Sequence, residues 1–317
     1  MRVLITASGG GHTGYAVSLA QRLYGRAELL FIISSGDSWT RSKVERYGEV
    51  VEVPKPRGPR DSFIKLLLHI PRAFFKSIGS VPKDFDVFIS SGSNHSVPPA
   101  IVAWLKGLRI YNIESSVRFT RPSLSARWLR PFSYVTVLQW EEQKKIHSSG
   151  KVYGPLYELP EYEPINKGYI LVTGGTYGHR LLFDAVSKLE LDNVVLQTGR
   201  VDPEPYVKNH PEWIIFRFDP DFSKWLAGAE VVITHFGKTA IDSVLSYRKP
   251  TIIVLNPEWR YTVGEKDAEI LAKKLNAVLL KQITPSNIIQ AIEEVKKRKL
   301  PTYPDGAMKL ADEILKQ

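Results

Sequence analysis

Residues 2–14 read RVLITASGGGHTG and decide how the chain folds. The apolar start, Val3-Leu4-Ile5-Thr6, predicts a buried strand, and the amphipathic run that follows predicts a helix over residues 14–24. Three adjacent glycines between them, Gly9 to Gly11, let the backbone turn sharply and approach a ligand, and the N–H groups at the start of a helix attract anions. The stretch therefore predicts an α/β unit whose first turn can hold a phosphate or diphosphate.

Two interpretations of this turn stay open. The glycines match neither the phosphate loop ending in Gly-Lys-Ser/Thr nor the G-x-G-x-x-G register, so a plain strand-to-helix turn is the simpler alternative. His12 favours the functional interpretation. A turn requires glycine but no imidazole, whereas a diphosphate site or a general base has a use for one.

Composition narrows the class of protein. The 317 residues suffice for two domains, and the absence of cysteine excludes disulfides and thiolate chemistry, as is typical of a reducing compartment. The start resembles no secretory signal, and no apolar run approaches the ~20 residues of a membrane span. The net charge of +10 lies entirely in residues 1–150, because the remainder is balanced. A basic first half predicts a diphosphate-bearing substrate, an anionic membrane surface or a polyanion.

The alternation of apolar strands and amphipathic helices occurs twice. Residues 154–167, with three prolines and three glutamates, predict a linker. The pattern then restarts with a strand over residues 169–172 and a second glycine turn that contains Gly174, Gly175 and Thr176. We therefore predict an α/β fold with two doubly wound, Rossmann-like domains. The expected boundaries are 1–155 for the first domain, 156–167 for the linker and 168–317 for the second domain, whose last helix is free to pack back on the first.

Residues 62–79 depart from this alternation. Nine large apolar side chains lie here with Lys65, Arg72 and Lys76 between them. The segment can pack on the sheet, or it can form an interfacial helix or a helix pair broken at Pro71, with basic side chains at lipid headgroups. The charge excess of the first half favours the interfacial helix. Its predicted membrane-contacting side chains are Phe63, Leu67, Phe74 and Phe75.

A third glycine turn follows an apolar strand in the second half. Residues 231–242 read VVITHFGKTAID, so a strand ends in His235 and a helix begins near Gly237. The helix N-terminus, with Lys238 and Thr239, can hold a diphosphate, and Asp242 lies one turn further, where a carboxylate can take the two ribose hydroxyls. A solvated helix carboxylate is the simpler alternative for Asp242 alone. The next strand ends at Asn256, at the same carboxyl edge, where ligands bind in open α/β sheets.

These motifs carry a resemblance to a known family. Residues 231–256 resemble the nucleotide-sugar half of the family 28 glycosyltransferases, specifically the catalytic subunit of the two-part N-acetylglucosaminyltransferase of asparagine-linked glycosylation. The turns at residues 173–176 and at Gln197-Thr198-Gly199 resemble other glycine turns of that subunit. The first half resembles its membrane-recruiting partner subunit through an ordered set of motifs: residues 10–14, Ser91-Gly92 with Pro98, 113–118, 123–125, 139–142 and Tyr153-Gly154.

The resemblance implies a GT-B fold, two Rossmann-like domains facing a central cleft, and an inverting transferase that uses no metal and no cofactor. The acceptor, a polyprenyl (dolichyl) diphosphate-linked sugar, would bind the first half. Direct displacement needs a general base, for which His12 and Glu114 are the candidates, and the ordinary histidine pKa of about 6.5 favours His12. The acceptor-binding residues are Gly9, Gly10, Gly11, Thr13 and Arg118. The UDP-sugar donor would bind the second half through Gly174, Gly175, Thr176, Gln197, Gly199, His235, Gly237, Lys238, Thr239, Asp242 and Asn256.

Three departures from the family leave the donor sugar and the anchor open. Asp242 replaces a ribose-binding glutamate, the His-Gln pair expected after Asn256 is absent, and the partner subunit's N-terminal membrane helix is missing. N-acetylglucosamine is the expected sugar, and an exopolysaccharide transferase using UDP-glucuronate is the first alternative. A UDP-sugar epimerase and a basic nucleic-acid-binding protein are more distant alternatives. The expected partners are a UDP-sugar, a lipid-linked acceptor and an anionic membrane, with no nucleic acid, and the expected location is the cytoplasmic face of the membrane.

Overall fold

The computed structural model describes residues 1–58, 61, 63–257 and 264–316, without the side chains of residues 63 and 67. The chain divides into two compact units. Unit 1 comprises Met1–Glu158 and the segment from Pro304 onward, and unit 2 comprises Leu159–Tyr303.

In chain order, the first 158 residues form seven strands and five α-helices among the described residues. They are β1 (Arg2–Ala7), α1 (Gly10–Leu23), β2 (Glu28–Ser34), α2 (Ser38–Val44), β3 (Glu49–Val53), α3 (Phe63–Ser80), β4 (Val87–Ser90), α4 (Val97–Leu105), β5 (Arg109–Ile113), α5 (Leu124–Leu129), β6 (Val135–Leu138) and β7 (Lys151–Val152).

Unit 2 follows with its own alternation of strands and helices. Its elements are β8 (Tyr169–Thr173), α6 (Arg180–Val186), β9 (Val194–Gln197), α7 (Glu204–Asn209), β10 (Ile214–Phe216), α8 (Phe222–Gly228), β11 (Ala229–His235), α9 (Lys238–Leu245), β12 (Thr251–Val254), α10 (Glu265–Leu275), β13 (Val278–Leu280) and α11 (Pro285–Lys296). The last helix, α12 (Gly306–Leu315), belongs to unit 1.

Each unit contains one sheet, and its described strands pair in parallel. The order in unit 1 is β3-β2-β1-β4-β5-β6-β7, and the order in unit 2 is β10-β9-β8-β11-β12-β13. Both orders reverse beside the first strand of the unit, between β1 and β4 and between β8 and β11. The carboxyl ends of the strands at such a switch point form a ligand crevice. The prediction of two doubly wound, Rossmann-like domains is thus confirmed.

The first strand shows why the sheet of unit 1 needs helices on both faces. Val3 and Ile5 lie in the core cluster that contains α1, whereas Leu4 lies in the cluster on the opposite face. Side chains alternate across a strand, so a continuous apolar run is buried only if both faces are covered. Burial of each such aliphatic side chain contributes about 1.5–3 kcal/mol.

Helix α12 completes the core of unit 1. Its apolar residues repeat at the spacing of one helical face, and Ala307, Leu310, Ala311 and Ile314 are fully buried in the cluster with α1. At its start, a Cβ on Gly306 would lie 2.2 Å from the carbonyl oxygen of Gly154. Glycine is therefore required at position 306 for this close backbone approach.

Helix α3 is one continuous 18-residue helix that runs through Pro71, rather than a helix pair. Leu66, Ala73 and Ser77 are buried on one face. The opposite face exposes large apolar side chains: Ile64 is 69%, Leu68 72% and Phe75 71% exposed. Among the described residues, no helix combines the length and hydropathy required to cross a bilayer.

The four predicted membrane-contacting residues of α3 differ in their exposure. Phe75 is exposed, as an interfacial residue must be. Phe74 lies partly buried against the core cluster beneath the helix, so only part of its ring is available to a membrane. The side chains of Phe63 and Leu67 lie outside the described residues.

Candidate functional site

Gly9 shapes the turn after β1. It precedes α1 with a left-handed φ of +77°, and its amide donates to the hydroxyls of Thr13 (3.0 Å) and Thr40 (3.1 Å). Thr13 is buried and also bonds to Thr40. The prediction that Gly9 and Thr13 bind a ligand directly therefore needs correction, because their polar groups are used inside the turn. Helix α1 begins at Gly10, so Gly10 and Gly11 supply the first-turn amides that can meet an anion.

His12 lies on that first turn, at the switch point of unit 1. Its Nδ1 is 2.8 Å from the carbonyl oxygen of Ser91, which follows β4. A carbonyl only accepts, so Nδ1 carries the proton and Nε2 keeps a lone pair. Gly92 makes room for the ring, since a Cβ there would lie 2.9 Å from Nδ1. Nε2 makes no hydrogen bond to the described part of the chain, which leaves it available as a base.

The surroundings keep His12 neutral. Burial lowers its pKa to about 4, and the nearby cations Lys55 and Arg118 oppose protonation as well, although the bond to Ser91 and the charge of Glu114 act in the opposite direction. At neutral pH the imidazole is therefore unprotonated, in the form that a general base requires.

Lys55 is a site residue that sequence reasoning missed. Its Nζ donates to the carbonyl oxygen of Ser8, at 3.1 Å, so the charge lies beside the glycine turn. Burial lowers the pKa of Lys55, while the charge of Asp37 raises it. A signal was present, since Lys55 comes two residues after β3 and the carboxyl ends of parallel strands share one edge. The predicted acceptor residue Arg118 lies near the same His12.

Glu114, the second candidate base, is fully buried. Its Oε1 accepts from the amide of Ser115 at 2.7 Å. Its Oε2 accepts from the amide of Ser123 at 2.9 Å and is 2.7 Å from His147 Nε2. A carboxylate with no exposed surface and three donors around it cannot reach a substrate hydroxyl. The geometry therefore favours His12 as the base, and His147 is a second residue that the sequence did not indicate.

The predicted donor residues of unit 2 cluster at its switch point. Gly174, Gly175 and Thr176 follow β8, and Gly175 has a left-handed φ of +66°. Gly199 follows β9, and a Cβ there would lie 2.4 Å from the carbonyl oxygen of Gly175. The two turns therefore pack directly on each other, which requires glycine at position 199.

His235 lies between two of these glycines. A Cβ on Gly175 would lie 2.6 Å from its Cε1, and one on Gly237 would lie 2.7 Å from its Nε2. Burial lowers the pKa of His235 to about 4, with a further contribution from the charge of His179. Its buried Nδ1 finds no hydrogen-bond partner among the residues that the structure describes. A neutral imidazole with an unpaired nitrogen at this point fits a ligand that supplies the missing partner.

Helix α9 begins at Lys238, directly after Gly237, and carries Thr239 in its first turn. The Nζ of Lys238 forms an ion pair with Asp242 one turn later, and both side chains are buried. The predicted phosphate residue Lys238 and the predicted ribose residue Asp242 thus neutralise each other. The simpler alternative of a solvated helix carboxylate does not apply, because Asp242 is only 6% exposed.

Gln197 and Asn256 complete the predicted donor set. The Oε1 of Gln197 accepts a hydrogen bond from the hydroxyl of Thr173 at 2.6 Å. Its amide nitrogen is the group that can bind a ligand. The Nδ2 of Asn256 is 3.5 Å from the carbonyl oxygen of Gly178, in the turn after β8. The eleven predicted donor residues therefore follow four adjacent strands of one sheet edge. In the described ranges, no group of three His, Asp or Glu side chains is arranged to hold a metal ion.

Two family models together match almost the whole chain. The model described as oligosaccharide biosynthesis protein Alg14 like matches residues 3–156. The model described as glycosyltransferase family 28 C-terminal domain matches residues 169–316. The order of the two matches agrees with the order of the motifs along the sequence.

Individual proteins show the same similarity. The UDP-N-acetylglucosamine transferase subunit ALG14 of Candida albicans is 28% identical over 167 residues, which cover 48% of this chain and 76% of that protein. A UDP-N-acetylglucosamine--N-acetylmuramyl-(pentapeptide) pyrophosphoryl-undecaprenol N-acetylglucosamine transferase from Lawsonia intracellularis is 24% identical, over 92% of this chain and 87% of its own length. For the enzyme of the same name from Prochlorococcus marinus (strain MIT 9312), the match spans 36% of its length at 27% identity.

Solved structures share the fold. Acinetobacter baumannii MurG superposes with a TM-score of 0.68 at 17% identity, and both chains are covered completely. The UDP-GlcNAc 2-epimerase of Neisseria meningitidis gives 0.67 at 14% identity, again with both chains covered. These likenesses confirm the GT-B type of fold, and the family models separate the transferases from the epimerases. The chain therefore belongs to the MurG- and Alg14-like family 28 glycosyltransferases, as a UDP-sugar glycosyltransferase that carries both halves on one polypeptide.

Proposed function

We propose that this enzyme transfers N-acetylglucosamine from UDP-N-acetylglucosamine to a sugar on a polyprenyl diphosphate, with dolichyl diphosphate as the carrier, in lipid-linked oligosaccharide synthesis. The names of the relatives support the donor and the class of acceptor, since they include a UDP-N-acetylglucosamine transferase subunit and a transferase acting on a pyrophosphoryl-undecaprenol. The Alg14-like first half supports a role in oligosaccharide biosynthesis, and the dolichyl carrier is proposed from the resemblance of the sequence motifs.

One observation carries the proposal: the neutral His12 at the anion-binding end of α1. Its Nδ1–H donates to the carbonyl oxygen of Ser91, and the residue shares the first turn of α1 with Gly10 and Gly11. A diphosphate on these amides, with Lys55 and Arg118 nearby, would place the first sugar of the acceptor close to the base. A glycine turn with a positioned base is what an acceptor site requires and a plain turn does not.

The chemistry is a direct displacement with inversion at the anomeric carbon. The acceptor hydroxyl oxygen bonds to that carbon, its proton moves to Nε2 of His12, and the bond from the carbon to the diphosphate oxygen breaks. UDP leaves with the electron pair. The amides at the start of α9 and Lys238 stabilise the new negative charge, which is why the proposal includes neither a metal nor a cofactor.

In the proposed donor site, different residues of unit 2 bind the diphosphate, the ribose and the uracil. The diphosphate binds at Gly237, Lys238 and Thr239, and the unpaired Nδ1 of His235 gains a partner there. The ribose binds at Asp242. The uracil lies toward Gln197, at the end of β9, whose amide oxygen accepts from Thr173 and whose amide nitrogen is a donor for the base.

We further propose that α3 holds the enzyme on the cytoplasmic face of an anionic membrane. Ile64, Leu68 and Phe75 lie within about 40° of one another around the helix, opposite the buried face. The exposed basic residues Lys65, Arg72 and Lys76 flank this stripe on one side. Apolar side chains with adjacent cations are the composition of an interfacial helix, and the same surface would not be specific for nucleic acid.

The donor assignment predicts a selective transfer reaction. Purified enzyme incubated with a dolichyl diphosphate-linked N-acetylglucosamine should form the disaccharide from UDP-N-acetylglucosamine, and at least tenfold more slowly from UDP-glucuronate. Product formation is measured by mass spectrometry of the extracted lipid. Faster transfer of glucuronate would overturn the donor assignment in favour of an exopolysaccharide enzyme. Epimerisation of UDP-N-acetylglucosamine without transfer would overturn the transferase mechanism.

The membrane assignment predicts the loss of vesicle binding when the stripe becomes polar. Changing Ile64, Leu68 and Phe75 to serine should lower cosedimentation with phosphatidylglycerol-containing vesicles at least tenfold, because each buried apolar side chain contributes about 1.5–3 kcal/mol. The matched control changes Leu181, Val207 and Ile289, exposed apolar residues of unit 2, to serine. Equal loss in both variants, or no loss in the first, would contradict a role for α3.

A further inference from the structure

We infer that Glu114 and His147 form a buried positioning pair, which fixes the loop of residues 115–123 and thereby holds Arg118 beside His12. This inference rests on the proposed acceptor site and refines it. It replaces a catalytic role of Glu114 by a positioning role, and it gives His147 a function.

The carboxylate of Glu114 joins both ends of the loop. It accepts from the amide of Ser115, which begins the loop, and from the amide of Ser123, which ends it and caps α5. His147, 33 positions along the chain, is the third donor. Because a carboxylate only accepts, the Nε2 of His147 carries the proton. Three convergent donors require an acceptor-only side chain, which explains a glutamate here rather than a glutamine.

Other side chains hold the middle of the loop, so the pair acts on a defined structure. Gln143 donates to the carbonyl oxygens of Ser115 (2.8 Å) and Arg118 (2.9 Å). Trp140 donates to the carbonyl oxygen of Ser116, and Tyr15 of α1 accepts from the amide of that residue. The loop is therefore attached both to the residues after β6 and to the helix that carries His12.

The role of the loop is to position Arg118 near His12. Its backbone is fixed by Ser115 and Gln143, and its guanidinium is close enough to His12 to oppose protonation of the imidazole. A guanidinium near the base and the first-turn amides is suited to a diphosphate, which it can bind through two parallel hydrogen bonds. Releasing the loop would therefore weaken acceptor binding and leave the base intact.

The environment of His147 indicates that its bond to Glu114 has a specific role. The ring is buried, and its Nδ1 finds no partner within the described ranges of the chain. An imidazole that leaves one buried nitrogen unpaired incurs a desolvation cost, so its bond to Glu114 must contribute something that an apolar residue would not. Fixing the carboxylate between the two loop ends is that contribution.

The test separates positioning from catalysis. Glu114→Gln and His147→Leu should each raise the acceptor KM about tenfold or more, since each leaves a buried polar group unpaired. The KM for the UDP-sugar should stay unchanged, because it depends on residues of unit 2. An acid limb should persist in the pH profile because His12 is still the base, and loss of the Glu114 charge, which raises the pKa of His12, should move that limb to lower pH in Glu114→Gln. His147→Gln, which keeps an N–H donor, should recover most of the acceptor affinity. Glu141→Gln, an exposed carboxylate two positions after Gln139, is the matched control.

Transfer kinetics and hydrogen exchange together distinguish a positioning role of Glu114 from a catalytic one. Glu114→Gln that abolishes kcat with an unchanged acceptor KM, together with a neutral His147→Leu, would overturn the inference and make Glu114 the base. Hydrogen exchange of the peptide covering residues 115–123 tests the loop without any assay of transfer. Exchange should become faster in Glu114→Gln and His147→Leu, and unchanged exchange would overturn the positioning role even if the parent transferred a different sugar.

Discussion

Replacing His12 by alanine is expected to lower the rate of sugar transfer by about 10²- to 10⁴-fold, the usual contribution of a positioned general base. Binding of UDP should not change, because the donor residues belong to unit 2. Single-turnover transfer and calorimetric titration with UDP measure the two effects separately.

His12→Asn is the sharper variant. The asparagine amide can replace Nδ1–H as a donor to Ser91, so the turn keeps its hydrogen bond while the basic lone pair is lost. We expect His12→Asn to lose as much activity as His12→Ala. Near-parental turnover in both variants would show that another group takes the proton.

The pH dependence of the reaction follows from the same environment. The base works when it is unprotonated, and burial lowers the pKa of His12 to about 4. Activity should therefore be constant around neutral pH and fall as the pH decreases through about 4. A histidine with its ordinary pKa would lose activity already below about 6.5. An acid limb near 6.5 in kcat/KM would contradict the buried, neutral state of His12.

The sequence predicts well which residues lie at the carboxyl edges of the sheets, because all parallel strands of a sheet end at the same edge. Once β1, β8 and β11 were recognised, the glycine turns after them had to lie at carboxyl edges, and the eleven donor residues do so. The predicted boundaries of helices are less accurate where local propensity and tertiary structure disagree. Glycine is a poor helix former, so Gly10 and Gly11 indicate a turn, yet α1 already begins at Gly10, directly after Gly9, whose amide donates to Thr13 and Thr40.

Burial was the property that the sequence could not supply. Glu114 was a plausible base as an acidic residue after a strand, but its three donors come from residues 115, 123 and 147, whose spacing follows no period. Phe74 and Phe75 were equivalent in the sequence, and only the orientation of α3 separates a core contact from an exposed side chain. Lys55 could have been found from its strand, whereas His147 could not.

Asp242→Ala is expected to have two consequences that need separate measurements. The change removes one partner of a buried ion pair, that of Lys238 and Asp242, which costs about 3–5 kcal/mol of stability. It also removes the proposed acceptor of the ribose hydroxyls, so UDP affinity should fall at least tenfold. Loss of UDP binding in this variant alone would therefore not show that Asp242 contacts the nucleotide.

The double variant Lys238→Met/Asp242→Ala separates the two effects. Removing the cation should return most of the stability, measured by thermal unfolding, because no buried charge is left unpaired. UDP affinity should stay low, since both proposed donor contacts are gone. Asp242→Glu keeps a carboxylate one turn after Lys238 and should retain UDP binding. If Asp242→Ala still binds UDP like the parent under conditions where it is folded, Asp242 serves the ion pair alone, and the ribose must be held by another residue of the same sheet edge.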